Sequence, residues 1–211
     1  QTGKLTGQFD LIILTVKSFG LDQAIADITP AVGPDTLIMP ILNGMRHIDT
    51  LSARFGDKVI GGLCKINATL GEQGEVVQMT PLHILYYGAL DGHNDARLQR
   101  VDETLKIAQF DTVFADNIGS ELWEKWLLLS TLGAVCCIAR GNTQQVLRSQ
   151  GGKALLQGVF AEVLSVLSAD GYQERPAVTA KIFETLNNPQ VAMTSSMYRD
   201  LTQGYELEAD Q

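Results

Sequence analysis

Two short, continuous apolar runs, DLIILTV at 10–16 and TLIMPIL at 36–42, constrain the fold of this chain more than any other feature. Neither alternates polar with apolar residues, and a strand without alternation is one buried on both faces, as in a parallel sheet covered by helices. Between them, 21–28 has helical spacing and stops before Pro30; a second helical stretch at 48–55 leads to a third run, KVIGGL, at 58–63. Strand, helix, strand, helix, strand, with each crossover one helix long, is the right-handed doubly wound pattern of an α/β domain.

Ligands of such sheets bind beyond the carboxyl ends of the strands. Lys17 and Asn43 fall there, each directly after a buried run. Each also has a plainer reading: Lys17 as a solvated loop lysine, and Asn43, followed by Gly44, as a turn residue. Further on, 71–74 reads as a turn, and 75–79 and 83–88 as a short antiparallel pair with Thr80-Pro81 between them. An amphipathic helix over 95–110 carries Leu98, Val101, Leu105 and Ala108, and 111–115 closes this half as a strand.

From 117 onward the strand pattern does not recur. Four helices are expected, at 118–139, 153–169, 176–187 and 193–203, with breaks at Arg140-Gly141-Asn142, Asp170-Gly171 and Gly204, and with Ser195 as a helix cap. The change of class sets the expected organisation: an α/β domain over 1–116 and an all-α domain over 117–211.

The third segment of interest is SELWEKWLLLSTLGAVCCIAR, at 120–140. On a helix, Leu122, Lys125, Leu129, Leu132 and Cys136 share one face, so an ammonium lies among side chains that favour burial. Burial lowers a lysine's pKa and makes it a proton donor near neutrality. The structural alternative is a pair with Glu121 one turn earlier, the Lys125 head reaching water over a core helix.

Charge and cysteine content exclude several classes. A net charge of −8 over 211 residues argues against nucleic acid or an anionic membrane surface as a main partner. No run reaches eighteen uninterrupted apolar residues, and the expected compartment is the cytoplasm. Cys64, Cys136 and Cys137 are no disulfide framework, and His47, His83 and His93 are not at ligand spacing from them, so no metal site is expected.

Taken in order, DLIILTVKS, PILNGM, ELWEKW and SSMYRDLTQGYELEAD resemble the ketopantoate reductase family, the NADP-dependent 2-dehydropantoate 2-reductases. The resemblance implies a partial Rossmann-type doubly wound sheet followed by an all-α C-terminal domain like that of 6-phosphogluconate dehydrogenase. It implies NADPH-dependent reduction of a 2-oxo acid, 2-dehydropantoate to pantoate in pantothenate biosynthesis, with NADP (NADPH) as cofactor and a homodimer as the assembly. Lys125 becomes the catalytic general acid. Asn43, Ser196 and Glu208 become substrate-binding residues, and Lys17, Asn43, Ala68 and Glu208 cofactor-binding ones. The family's glycine-rich phosphate loop is not found in this sequence, so an internal fragment, inactive and poor in cofactor binding by itself, is expected. The resemblance departs at Leu129 and Gly133, where the family carries asparagines aimed at the substrate. That departure implies a less polar carbonyl substrate as the alternative within the class. A non-catalytic helical dimerisation module is the alternative outside it.

Overall fold

The first two apolar runs form adjacent strands of the kind their composition demands. In the computed structural model, which describes residues 5–209, β1 (Leu11–Leu14) and β2 (Leu37–Pro40) pair in parallel, Leu11 opposite Leu37 and Leu14 opposite Pro40. All of β2 is buried. The crossover is α1 (Leu21–Ile28), which turns its Leu21 and Ile28 into the core and gives way to a short 3-10 turn containing Pro30. After β2 comes α2 (Arg46–Phe55), with His47 and Leu51 inward. The chain then returns alongside β2 through a parallel bridge from Val59 to Ile38.

Beyond Val59 the pairing changes direction. β3 (Ile60–Leu70) runs antiparallel to β4 (Val76–Ala89), and β4 pairs in parallel with β5 (Asp111–Phe114), so the strand order is β3-β4-β5. The expected antiparallel pair between 75–79 and 83–88 is corrected: both stretches belong to the single strand β4, and their partner is β3. Pro81 explains the misreading, since it cannot donate to a ladder and is tolerated in a sheet at bulges. Here it lies where the register shifts between Ile66, opposite His83, and Ala68, opposite Gln78. The turn at 71–74 is present, with Gly74 at φ 83° and its N–H donating to the Gly71 carbonyl at 3.0 Å. Between β4 and β5, α3 (Ala96–Leu105) is capped by Asp95, whose carboxylate accepts from the N–H groups of Arg97 and Leu98.

Two glycines on β3 let this strand lie against its neighbours. A Cβ on Gly62 would come within 2.5 Å of Met39 Cγ and 3.0 Å of the Pro40 carbonyl oxygen, and one on Gly61 within 2.7 Å of Ile118. Any side chain at either position would push the strand away.

The chain divides into two compact units, one up to Leu122 and the other from Trp123, with the division inside α4 (Ile118–Ala139). In the first unit one core gathers Leu37, Met39, Ile60, Leu85, Tyr87 and Leu98, a second gathers Leu14, Leu21, Ile28, Ile38, Leu51 and Val59, and Leu63, Ile118 and Leu122 form a third.

The second unit is helical. α4 ends at Arg140, at φ 55°, and Asn142 then starts a short helix that the sequence reading took only for a break. This is α5 (Thr143–Arg148), held by a reciprocal capping box between Asn142 and Gln145. α6 (Gly152–Ala169), α7 (Pro176–Leu186) with proline in its first turn, and α8 (Ser196–Gln203) complete it. α8 begins three residues later than its pattern predicts. Met193 is held instead by Thr143: its N–H donates to Thr143 Oγ1 at 3.0 Å and its carbonyl accepts from the Thr143 N–H at 2.9 Å. The Met193 carbonyl is thereby taken by Thr143, and the helix starts only after Ser195, extended at φ −88° and ψ 157°. The core of this unit joins Leu127, Leu132, Cys136, Leu156, Phe160 and Leu186. α4 and α6 are long and apolar enough to cross a membrane by length and composition, and both contribute buried side chains to this core.

Candidate active site

The first unit assembles one group of candidates at the carboxyl ends of β1 and β2. Adjacent parallel strands finish side by side: the Ile41 N–H donates to the Leu14 carbonyl at 2.9 Å just past the paired residues. The two chains then diverge, one through exposed Lys17 into a 3-10 turn, the other through exposed Asn43 and Gly44, at φ 93°, into α2. Positive φ at Gly44 costs a glycine nothing, and it turns the chain immediately after Asn43. Lys17 and Asn43 thus emerge from the same end of the sheet. Ala68 is elsewhere in this unit, half-buried on the outer part of β3 opposite Gln78.

The same end carries a residue that nothing in the sequence marks out. Lys65 follows Leu63 on one face of β3, and Leu63 belongs with Ile118 and Leu122 to the cluster against which Met45 and Ile48, just beyond Asn43, pack. The Lys65 ammonium lies 4.1 Å from the centroid of the Tyr86 ring and 3.9 Å from a carboxylate oxygen of Glu121 in the first turn of α4. A lysine in a strand reads from sequence as a solvated outward residue. Only the pairing of β3 with β4 shows the aromatic face beneath it.

A cleft of about 330 Å³ lies at the other end of this sheet, beside Leu37, Ile60 and Leu98. Arg97 on its rim is held by Asp95 and by Asp57, at 3.0 Å from the latter, and both contacts raise its pKa; against burial, the hydrogen bond from Arg97 lowers that of Asp95. It works as a clamp between α3 and the turn after α2.

The second unit holds Lys125, Ser196 and Glu208. α4 is apolar nearly all round, and the face named from the sequence is divided: Leu122, Leu132 and Cys136 are buried, while Lys125 and Leu129 are half-buried. Beside Lys125, Glu124 is 5 % exposed. Its carboxylate accepts from Tyr172 Oη at 2.8 Å and from Arg175 Nε at 2.5 Å, and pairs with Arg175 Nη2 as well. A bidentate, charge-assisted contact of this kind fixes orientation as well as adding energy. It ties α4 to the loop between α6 and α7 at the turn that carries Lys125. Burial, and then its hydrogen bond to Glu124, raise the pKa of Tyr172, so its hydroxyl stays protonated as a donor. Sequence spacing gives no sign of this network, because its members are 48 and 51 residues apart.

Ser195, not Ser196, caps α8: its hydroxyl accepts from the Tyr198 N–H at 2.9 Å. That leaves Ser196 exposed at the first helical position. Gly133 shows where this end of α8 lies. A Cβ on Gly133 would sit 3.8 Å from Met197 Cε and Sδ, so the start of α8 packs on α4 two turns beyond Lys125. Glu208 is half-buried in the irregular segment after Gly204, which ends α8 at φ 73°. Burial raises the thiol pKa of Cys136 and Cys137 and keeps both protonated. Among the described residues no group of three or more His, Cys, Asp or Glu side chains is placed to hold a metal ion.

The chain matches two family models, ketopantoate reductase PanE/ApbA over residues 2–92 and ketopantoate reductase PanE/ApbA C terminal over residues 117–211. It is 29 % identical over 206 residues to the uncharacterized oxidoreductase YkpB of Bacillus subtilis (strain 168), covering 97 % of this chain and 68 % of that protein. To 2-dehydropantoate 2-reductase of Streptococcus pyogenes serotype M18 it is 23 % identical over 204 residues, covering 96 % of this chain and 66 % of the relative. The chain therefore spans about two thirds of the length of these relatives. Among solved structures, 2-dehydropantoate 2-reductase from Geobacter metallireducens GS-15 superposes with a TM-score of 0.82 at 22 % identity, over 96 % of this chain and 67 % of that one. D-mandelate dehydrogenase, solved with NADH and anilino(oxo)acetate, superposes with a TM-score of 0.80 at 22 % identity, over 97 % and 67 %. These neighbours share the fold, a Rossmann-like domain followed by a helical one. With both family models matched in order along nearly the whole sequence, the chain belongs to the ketopantoate reductase family.

Proposed function

We propose that the protein is a nicotinamide-dependent oxidoreductase that reduces a 2-oxo acid to the 2-hydroxy acid, with 2-dehydropantoate as substrate and NADPH as reductant following the family. The observation that carries this reading is Lys125, half-buried on α4 directly after a glutamate pinned by Tyr172 and Arg175. Exposed Lys17 and Asn43, at the carboxyl ends of adjacent parallel strands, fit a dinucleotide, which binds at that edge of such sheets. When bound, the cofactor supplies the hydride. Lys125 polarises the ketone oxygen and gives it a proton from Nζ as negative charge develops there. The Asn43 amide orients the reacting groups. The Ser196 hydroxyl donates to the substrate carboxylate, Glu208 contacts substrate and cofactor, and Lys17 lines the cofactor side, while Ala68, away from those strand ends, takes no part in this reading. The same reading carries a homodimer and a cytoplasmic location as proposals.

Replacing Lys125 by Ala in the complete protein should lower kcat by about 10²- to 10⁴-fold, the usual contribution of a general acid, with NADPH affinity within about twofold as general acids do not hold cofactor. Unchanged turnover would remove the catalytic role.

A second reading has its own observation. Leu129 and Gly133 stand where the family's asparagines would be, and Gly133 faces Met197. A pocket that lacks those amides leaves the polar groups of 2-dehydropantoate unpaired, which such sites reject strongly. A less polar 2-oxo acid fits better, and an aryl 2-oxo acid such as benzoylformate is a suitable comparison. A higher kcat/KM for benzoylformate than for 2-dehydropantoate would select this reading; the reverse would select the first.

A further inference from the structure

Lys65 has an arrangement that neither its strand nor its fold requires. Its side chain is 38 % exposed. The ammonium sits over the Tyr86 ring at 4.1 Å and 3.9 Å from Glu121, and neither contact is a hydrogen bond, since N–H···O bonds close at about 2.7 to 3.2 Å. Among the described residues no hydrogen bond to a protein acceptor uses its three N–H donors. The cation is nonetheless held, by an aromatic face below and a carboxylate beside it, each worth about 0.5 to 1 kcal/mol at a partly exposed site. Held in place with open donors, such a cation is suited to an anion.

Its position narrows which anion. Gly62 lies against Pro40 and Ile41, so β3 leaves the sheet beside the end of β2. Leu63 belongs to the cluster against which Met45 and Ile48, which follow Asn43 closely, and Tyr86 pack. Lys65 therefore emerges on the side of the first unit where Asn43 does. A chain of net charge −8 that is to hold an anionic substrate needs a local cation for it.

Building on the reductase reading above, we propose that Lys65 is a specificity-determining residue that binds the carboxylate of the 2-oxo acid.

The test compares the complete protein with its Lys65→Gln and Lys65→Arg variants. Steady-state rates are measured with a 2-oxo acid and with its methyl ester, alongside titration of each protein with oxamate, an unreactive carboxylate, in the presence of cofactor. A charge-assisted hydrogen bond corresponds to roughly 10- to 100-fold in affinity. Lys65→Gln should therefore raise KM for the acid and Kd for oxamate by that factor, leave the ester and the cofactor KM within about twofold, and leave kcat within a few-fold. Lys65→Arg should recover most of the loss. Equal effects on acid and ester, or an effect confined to the cofactor KM, would overturn the proposal, the latter by assigning the cation to a cofactor phosphate. The two levels separate cleanly. Oxamate binding weakened by Lys65→Gln in a protein without turnover keeps the anion site and removes the reductase reading. Turnover unaltered by Lys65→Gln does the opposite.

Discussion

Arg175 and Glu124 form a pair whose two ends are unequally buried, and that asymmetry gives a quantitative expectation. The Glu124 side chain is 6 % exposed and that of Arg175 42 %. Replacing Arg175 by Met leaves a buried carboxylate with the Tyr172 hydroxyl still donating to it. Breaking a fully buried pair this way costs about 3 to 5 kcal/mol. Water can reach the position that the half-exposed guanidinium vacates, which lowers the expectation to roughly 2 to 3 kcal/mol. Replacing Glu124 by Met is milder. Arg175 can turn to solvent, and the main loss is the acceptor of the buried Tyr172 hydroxyl, so about 1 to 2 kcal/mol is expected. The double variant should be less destabilised than the sum of the two, because each single change already breaks the same contact. Urea unfolding of the wild type, both single variants and the double variant, with m-values compared, measures this directly. If Arg175→Met proves no more destabilising than Glu124→Met, or the effects simply add, the pair does not hold the Lys125 turn in the way described.

Two further expectations follow from the first unit. Tyr87 is fully buried and donates to Asp102 at 2.8 Å, and its pKa is raised to about 12, by burial first and then by Asp102. Because the folded value lies above the unfolded one, the associated stability is present below pH 10 and is lost as pH rises towards 12. The loss amounts to roughly 3 kcal/mol, and Tyr87→Phe should abolish that part of the alkaline transition when unfolding midpoints are compared between pH 9 and 12. At Gly88, a Cβ would come within 2.6 Å of the Ala115 carbonyl oxygen and 3.2 Å of Ile118 Cβ. Backbone cannot yield as a side-chain tip can, so Gly88→Ala should cost about 2 to 3 kcal/mol in urea unfolding; a neutral substitution would mean that β4 and β5 are less closely joined.

Much of the architecture was legible in the sequence because it depends on local pattern. Continuous β-branched runs gave β1 and β2, helical periodicity gave α1, α4, α6 and α7 to within a residue or so, and Ser195 was correctly read as a cap. Lys125 stood out for the same reason, as one cation in an apolar helix. The ordered motifs carried the family, which the family models bear out.

Pairing between distant segments could not be read in this way. Periodicity finds a strand but not its partner, so β4 appeared as two strands where Pro81 interrupts its pattern at the register shift. The capping box of α5 lay hidden in what looked like a loop, and the start of α8 was moved by the claim of Thr143 on Met193, fifty residues away. The environment of Glu124 and that of Lys65 belong to the same class. A charged residue in a sequence carries no mark of the Arg175 or the Tyr86 ring that tertiary packing will set against it. Local pattern thus determined the elements and the family, because neighbouring residues alone decide which backbone conformation and which face are favoured. Tertiary structure decided which polar groups are held and what they are held against, because those energies arise only when segments far apart in the chain are brought together.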